Sequence, residues 1–460
     1  MQKKAEFLIR PMIPVAGQSC EVETAAPKKG KTKLFINGKL YAEQTAASGS
    51  ACFKVVFERA AFYELRAECG GRVIAEGQAA VTARHLYFPW FGCIKDPEMV
   101  ACRYANMVLA QDYWGLKGQE AERHPWPQFA LRDPDEKEIR YWKKRGALAC
   151  AWKASFQRNK KEYTEKDLVN YLEYQYADYP FDGVMIDELG GYDYEKLRNS
   201  KIVNGLKEFC RRHPDQFLSL WICGALKDPM SELVKRPGAT SGFDLLMLEV
   251  YFNYKTPDMK SLHPFRYLQE GIDSAHRQDI LPQCVFTIGI HGNYDKYEIL
   301  PEELEPQYQY IRYHAPSMPG IGFYAAHCQN RDLVGLCDRL CEKYFIRPVI
   351  TAYPETVWVT EQPGGAELNV EVLNIGGTDS GPVKVRFYDG NPAYGTAPFA
   401  EQKLAGLPAP NDDFRQFGKR IRQSFKTRRK GFHEIWIELC PARKDDTVLE
   451  GVLCKKLYVR

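Results

Sequence analysis

The sequence predicts an α/β protein in which a parallel (β/α)8 barrel is flanked by N-terminal and C-terminal β-sandwich domains. At 460 residues the chain is too long for one ordinary core. Apolar strand segments alternate with helical segments over roughly 240 residues, which is the size of such a barrel. The regions before and after contain strand patterns alone. We therefore predict an N-terminal β-sandwich at 1–84, the barrel at 85–346 and a C-terminal β-sandwich at 347–460.

The N-terminal region is a series of short strand candidates. Each alternates between apolar and polar residues or runs apolar, and Gly, Asn-Gly or Lys-rich turns separate them. Short strands at this spacing are typical of a β-sandwich. The candidates are AEFLIRPMI, TKLFINGKLYAEQ, CFKVVFE, FYELRAEC and RVIAEGQAAVTA.

Eight strand candidates define the predicted barrel. They are near-continuous apolar runs, as parallel strands covered on both faces should be. Helical segments lie between them, such as TEKDLVNYLEYQYADY, which opens with a threonine cap. An open doubly wound sheet is the alternative, but no GxGxxG turn follows the first strand. The candidates are HLYFPWFG (85–92), ANMVLAQDYWG (105–115), GALACAWKA (146–154), FDGVMIDEL (181–189), FLSLWICG (217–224), FDLLMLEVYFN (243–253), CVFTIGIHG (284–292) and IGFYAAH (321–327).

Strand-only sequence returns after the last helix of the predicted barrel. The segment VEVLNIGGTDSGPVKVRFYDGNP places a strand ending in Asn-x-Gly before a strand ending in Phe-Tyr-Asp-Gly. This segment resembles the CARDB-type immunoglobulin-like module. The resemblance implies a β-sandwich with an accessory role and carries no chemistry of its own.

Composition excludes several classes of partner and cofactor. A formal net charge of +4 is small for this length and predicts neither a nucleic-acid nor a membrane partner. The basic run from Lys419 to Lys430 is interpreted as a solvated loop or an edge strand. The 14 cysteines form no CxxC pair, and we expect no metal site and no cofactor. No Gly-rich phosphate loop, HExxH or GxSxG motif is present, which argues against kinases, zinc proteases and serine hydrolases.

Localisation is interpreted from two conflicting features. The first residues contain no apolar run of the length that an export signal needs, which predicts a cytoplasmic protein. The alternative is export, because CARDB-like modules are common on exported proteins. The sequence makes no prediction of oligomeric state.

The active site of such a barrel lies at the C-terminal ends of its strands, so the strand ends supply the candidate residues. Carboxylates dominate this set, together with aromatic side chains. Asp182 opens the fourth strand instead and is interpreted as structural, whereas Asp112 is equally well explained as a helix cap. The substrate-binding candidates are Asp112, Trp114, Trp152, Lys153, Trp221, Tyr251, His291, Asn293 and His327. The catalytic candidates are Asp187, Glu188 and Glu249.

Three acids carry the functional hypothesis. Asp187 and Glu188 close the fourth strand, and Glu249 interrupts the apolar run LLMLEVYF in the sixth. A charge placed there without a partner is costly, which favours a functional reason for it. A pair of carboxylates is what glycoside cleavage requires, and aromatic faces can stack on sugar rings. We therefore predict a carbohydrate substrate and expect Trp152 or Trp221 to line the same cleft as Asp187.

The segment FDGVMIDEL resembles the fourth-strand signature Phe-Asp-Gly-(three apolar residues)-Asp of glycoside hydrolase barrels. The most similar in type are the endo-α-1,4-polygalactosaminidases and the α-galactosidase-like retaining enzymes. In those families the Asp that closes strand 4 is the nucleophile, and an acid that closes strand 6 is the acid/base. The resemblance implies these roles for Asp187 and Glu249, hence a retaining glycosidase.

Two alternatives stay open at this point. Glu188 directly follows Asp187, which resembles the Asp-Glu pair of substrate-assisted β-N-acetylhexosaminidases, in which Glu is the acid and Asp orients the acetamide. The chitinase signature departs from this chain, because Met185 stands where that pattern needs an acid. A non-catalytic glycan-binding protein with the same architecture is the second alternative.

Overall fold

A computed structural model describes most of the chain in fifteen ranges. By contacts between Cα atoms the protein divides into two compact units, one of Met1–Phe7, Ile13–His85 and Leu340–Arg460 and one of Leu8–Met12 and Leu86–Arg339. The division into three domains stays a prediction. The described ranges are 6–28, 30–46, 49–91, 103–110, 135–153, 164–174, 176–187, 200–223, 230–235, 239, 241–250, 265–289, 301–324, 331–411 and 418–460.

The N-terminal region forms two sheets. One has the strand order β1-β2-β5 and the other the order β4-β3-β6-β7. Asn37 and Gly38 both adopt positive φ angles between β3 and β4, which is the hairpin geometry that an Asn-Gly pair favours. The strands are β1 (Phe7–Arg10), β2 (Ser19–Ala25), β3 (Lys31–Ile36), β4 (Lys39–Thr45), β5 (Ser50–Val56), β6 (Ala61–Cys69) and β7 (Arg72–Val81).

The central region is a closed barrel of eight parallel strands. Each strand pairs with the next along the chain, and the last pairs with the first. All eight strand candidates of the sequence contribute one strand each, so the predicted (β/α)8 barrel is confirmed. The strands are β8 (Pro89–Phe91), β9 (Met107–Leu109), β10 (Leu148–Lys153), β11 (Gly183–Ile186), β12 (Phe217–Cys223), β13 (Leu245–Glu249), β14 (Cys284–Gly289) and β15 (Ile321–Tyr324).

Helices connect the barrel strands wherever the structure describes the connection at length. Thr164 caps the second of them and forms a reciprocal capping box with Asp167, as the threonine in the sequence predicts. No helix within the described ranges has both the length and the apolar character that a membrane span requires. The helices are α1 (Glu136–Lys144), α2 (Glu165–Glu173), α3 (Ser200–Arg212), α4 (Arg266–Arg277), α5 (Pro301–His314) and α6 (Arg331–Cys341).

The C-terminal region again forms two sheets. Strands β20-β19-β22-β24 make one, and β16, β17, β18, β21 and β23 make the other. The basic run predicted as a loop or an edge strand lies largely in β21, which pairs with β18 alone among the described strands. The strands are β16 (Val349–Thr351), β17 (Val357–Gln362), β18 (Gly365–Asn374), β19 (Val383–Asp389), β20 (Ala400–Leu404), β21 (Gly418–Lys426), β22 (Gly431–Pro441), β23 (Thr447–Val448) and β24 (Val452–Val459).

Gly183 lies where β11 closely approaches β12, so a substitution there tests the pairing of these two strands. A Cβ atom added there would lie 2.1 Å from the carbonyl oxygen of Phe217 on the neighbouring strand. We therefore expect Gly183→Ala to lower the free energy of unfolding by about 3 kcal/mol, measured by urea denaturation. The control is Gly335→Ala on α6, where the nearest atom would be 3.5 Å away and alanine favours the helix. Equal stability of Gly183→Ala and the wild type would contradict this pairing.

Candidate active site

Strand pairing determines which side chains face the barrel interior. Phe91 on β8 and Trp221 on β12 pack edge to face with ring centroids 5.0 Å apart, although these two strands lie on opposite sides of the barrel. Two side chains on opposite strands can meet only if both point inward. Successive residues of a strand point to opposite faces, and residues paired between parallel strands share a face. The strand register, starting from Phe91 and Trp221, therefore identifies the inward-facing residues of every other strand.

The assignment is consistent around the whole barrel. Followed around all eight strands, the register gives Tyr324 on β15 as an inward residue, and Tyr324 pairs with Phe91. The ring centroids of Tyr324 and Phe91 lie 5.1 Å apart. When paired residues are followed strand by strand from Phe91 on β8, the series reaches Phe217 on β12. The β12 residue that touches Phe91 is instead Trp221, which lies further towards the C-terminal end of β12. This offset arises because the strands are tilted relative to the barrel axis. Residues at the same height along the axis therefore lie progressively closer to the C-terminal ends on successive strands. The inward residues thus form layers, each drawn from alternate strands.

Two such layers build the C-terminal mouth of the barrel. The lower one comes from β8, β10, β12 and β14, and its members are Phe91, Trp152, Trp221 and Thr287. The upper one comes from the strands between, and its described members are Asp187, Glu249 and Tyr324. The two acids predicted from the sequence therefore share the interior face and the upper of these two layers.

Backbone pairing sets the position of each acid. The amide of Asp187 donates to the carbonyl of Lys153 over 2.7 Å, so the pairing of β10 with β11 continues one residue past the end of β11. Glu249 is the last residue of β13 and pairs with Cys223 on one side and Thr287 on the other. Both acids are partly exposed, whereas the residues preceding them are buried. This is the arrangement expected of side chains at the rim of a packed interior.

The tryptophans lie beneath the acids. Trp152 is 7% exposed and Trp221 is fully buried. Trp221 therefore supports the upper layer from below and has no free face on which a sugar could stack, which corrects its prediction as a substrate-binding residue. Trp90 points away from the interior and packs against Phe323, 5.6 Å away between ring centroids. Trp152 is the one of these tryptophans that combines an inward position with some exposure.

Lys153 differs most from the sequence interpretation, which placed its side chain in the site. It follows the inward-facing Trp152, so its side chain points outward to the helix layer. There Nζ donates to the carbonyl of Tyr174, and it lies 5.6 Å from the ring centroid of Tyr171. The ammonium group therefore cannot contact a substrate at the barrel mouth.

Asp182 lies at the opposite end of the fourth strand and is structural, as predicted. Its Oδ2 accepts from the amide of Ala149 over 2.9 Å, and its Oδ1 pairs with Lys143 over 2.9 Å. These contacts join the start of β11 to β10 and to α1. Asp182 therefore belongs to the scaffold of the barrel and not to the candidate site.

Two residues of the site were missed at the sequence level. Tyr324 shares the upper layer with the acids, but it lies inside the eighth strand candidate, which extends to His327. Thr287 pairs with Glu249 and is fully buried, and its hydroxyl has no hydrogen bond within the described ranges. Counting inward positions along each strand, instead of taking the last residues of each run, would have indicated both.

The remaining predicted residues lie outside the described ranges. They are Asp112, Trp114, Glu188, Tyr251, His291, Asn293 and His327. Their proposed roles stay predictions. Within the described ranges no group of three His, Cys, Asp or Glu side chains is arranged to hold a metal ion.

No protein-family model matches the chain, and no curated protein matches it significantly. Among solved structures it is similar to the catalytic domain of a hyperthermophilic chitinase from Pyrococcus furiosus, with 12% identity and a TM-score of 0.41 over 56% of this chain and 95% of that one. It is also similar to the PgaB (BpsB) glycoside hydrolase domain from Bordetella bronchiseptica, with 12% identity and a TM-score of 0.35 over 56% and 98%.

A further similarity concerns the C-terminal region. A CARDB domain of the PF1109 protein from Pyrococcus furiosus shares 17% identity, with a TM-score of 0.19, over 25% of this chain and 91% of that domain. All three likenesses are too low to carry an argument about function.

Proposed function

We propose that this protein is a glycoside hydrolase that cleaves an O-glycosidic bond in an oligosaccharide or polysaccharide. The observation that carries the proposal is the placement of Asp187 and Glu249 in one interior layer at the C-terminal mouth of the barrel. This is the end at which enzymes of this fold bind substrate. Two carboxyl groups facing one cavity are the chemical minimum for glycoside hydrolysis.

The proposed reaction retains the anomeric configuration. Asp187 attacks the anomeric carbon while Glu249 donates a proton to the departing glycosidic oxygen, which leaves a glycosyl ester on Asp187. Glu249, now a carboxylate, removes a proton from water, and the hydroxyl oxygen attacks the same carbon and releases Asp187. The first step needs Glu249 in its protonated form and Asp187 in its ionised form.

A hydrolysis assay tests the proposed function. We expect the wild type to release new reducing ends from at least one member of a panel of oligosaccharides, polysaccharides and aryl glycosides. Asp187→Asn, which keeps the shape of the side chain, should bind the same substrate with similar affinity in a calorimetric titration but turn it over at no detectable rate. Binding by both proteins without turnover by either would contradict the enzyme and favour a glycan-binding protein.

A further inference from the structure

Lys153 has a buried amine that the proposed chemistry does not use. Its side chain is 3% exposed, and burial lowers the pKa of its amine to about 7. Within the described ranges Nζ has a single hydrogen-bond acceptor, the carbonyl of Tyr174. The rings of Tyr171 and Tyr174 lie 5.6 and 5.7 Å from it and replace part of the lost hydration through their π faces. A costly side chain of this kind needs a structural or functional reason.

The acceptor of Lys153 is the end of a helix. Tyr174 is the C-cap of α2, and the last carbonyls of a helix have no partner within it. A cation at this end also interacts favourably with the helix dipole. No basic residue of α2 itself lies in its last turn, so Lys153 supplies from a neighbouring strand the cation that the helix lacks.

The backbone of Lys153 holds the other end of the same chain segment. This segment begins at Tyr174, at the end of α2, and its described residues 176–187 include β11 and end at Asp187. The side chain of Lys153 binds the carbonyl at the start of this segment, and its backbone carbonyl accepts from the amide of Asp187 at the end, over 2.7 Å. Lys153 therefore makes a hydrogen bond at each end of the segment that places Asp187 at the barrel mouth.

We propose that Lys153 is a positioning residue for Asp187, acting from the outer face of the barrel through the end of α2. Asp187 lies one residue beyond β11, and the hydrogen bond from its amide to the carbonyl of Lys153 holds it there. If the end of α2 shifts, the segment that follows can shift with it, and a displacement of about 1 Å is enough to slow an enzymatic reaction by up to roughly 100-fold. The kinetic part of this inference rests on the proposed glycosidase function.

Lys153→Met tests the proposal, because methionine keeps an unbranched apolar stem and removes the donor. We expect kcat to fall by about 10- to 100-fold with KM nearly unchanged, at a temperature well below the unfolding transition. The matched control is Leu168→Ala near the start of α2, which removes buried packing from the same helix at the end away from Tyr174. It should lower the melting temperature yet keep kcat within about twofold.

Hydrogen exchange provides a readout that does not depend on activity. In Lys153→Met the peptide that carries residues 176–187 should exchange at least tenfold faster than in the wild type, whereas a peptide from β14 should not change. Leu168→Ala should not accelerate exchange in residues 176–187 selectively. If the wild type hydrolyses no substrate, the proposed function fails while this measurement still decides whether Lys153 restrains the Asp187 segment.

The pH dependence of stability gives a second readout with a defined sign. The pKa of Lys153 falls from its ordinary 10.5 to about 7 on folding, so between these values the unfolded chain binds more protons than the folded one. The free-energy cost of burying the charged amine reduces stability by its full amount below pH 7. This cost decreases as the pH rises towards 10.5. The melting temperature of the wild type should therefore rise relative to that of Lys153→Met between pH 7 and pH 10. A constant difference, together with unchanged kcat and unchanged exchange in Lys153→Met, would overturn the proposal.

Discussion

Replacing Glu249 with Gln should lower kcat/KM by about 10³-fold on substrates with poor leaving groups, because the departing oxygen then receives no proton. Aryl glycosides whose leaving group is already a stable anion need no such proton, so their first step should slow far less. The measurement is a series of kcat/KM values across leaving groups of decreasing acidity. The slope of log kcat/KM against leaving-group pKa should be steeper in Glu249→Gln than in the wild type.

A matched control separates this effect from a general loss of negative charge. Glu208 lies on the barrel exterior, where its carboxylate pairs with Arg211 and Arg212. Glu208→Gln should show wild-type kinetics across the whole series. Full activity of Glu249→Gln combined with an inactive Glu188→Gln would contradict the acid/base role of Glu249 and favour the substrate-assisted scheme.

Replacing Asp187 with Gly should reduce hydrolysis further, on the order of 10⁵-fold, for every leaving group. The nucleophile is needed whatever the leaving group, so the loss of kcat/KM should be as large for good leaving groups as for poor ones. The measurement is kcat/KM for the same substrate series. This uniform loss is what distinguishes the nucleophile from the acid.

Asp182 is the matched control for Asp187, since both residues belong to the fourth-strand segment. Asp182 makes its contacts with Ala149 and Lys143 at the opposite end of the barrel. Asp182→Asn should lower the melting temperature and leave kcat close to that of the wild type. Residual activity of Asp187→Gly equal to that of Asp182→Asn would argue against a catalytic role for Asp187.

The barrel could be predicted from the sequence because its strands carry a strong local signal. Each strand is a continuous apolar run, and the loss of helical segments on both sides marks the ends of the barrel. The positions of Asp187 and Glu249 were also predictable, since a carboxylate that ends an apolar strand stands out against its neighbours. Both signals lie within a few consecutive residues.

The faces of the strands required information that a single run of residues does not contain. Trp152 and Lys153 both close the third strand candidate, and alternation allows only one of them to face the interior. The contact between Phe91 and Trp221, carried through the strand register, assigns the interior to Trp152 and the helix layer to Lys153. This choice depends on residues far apart in the sequence, and so does the place of Tyr324 in the acid layer.

Chemical rescue of Asp187→Gly by azide tests the central claim most directly. Azide can enter the space left by the carboxylate and attack the anomeric carbon from the side that Asp187 would use. The account predicts that azide accelerates cleavage of an activated aryl glycoside and that proton NMR shows a glycosyl azide of inverted configuration. A glycosyl azide of retained configuration, or no acceleration at any azide concentration, would contradict the assignment of Asp187 as the nucleophile.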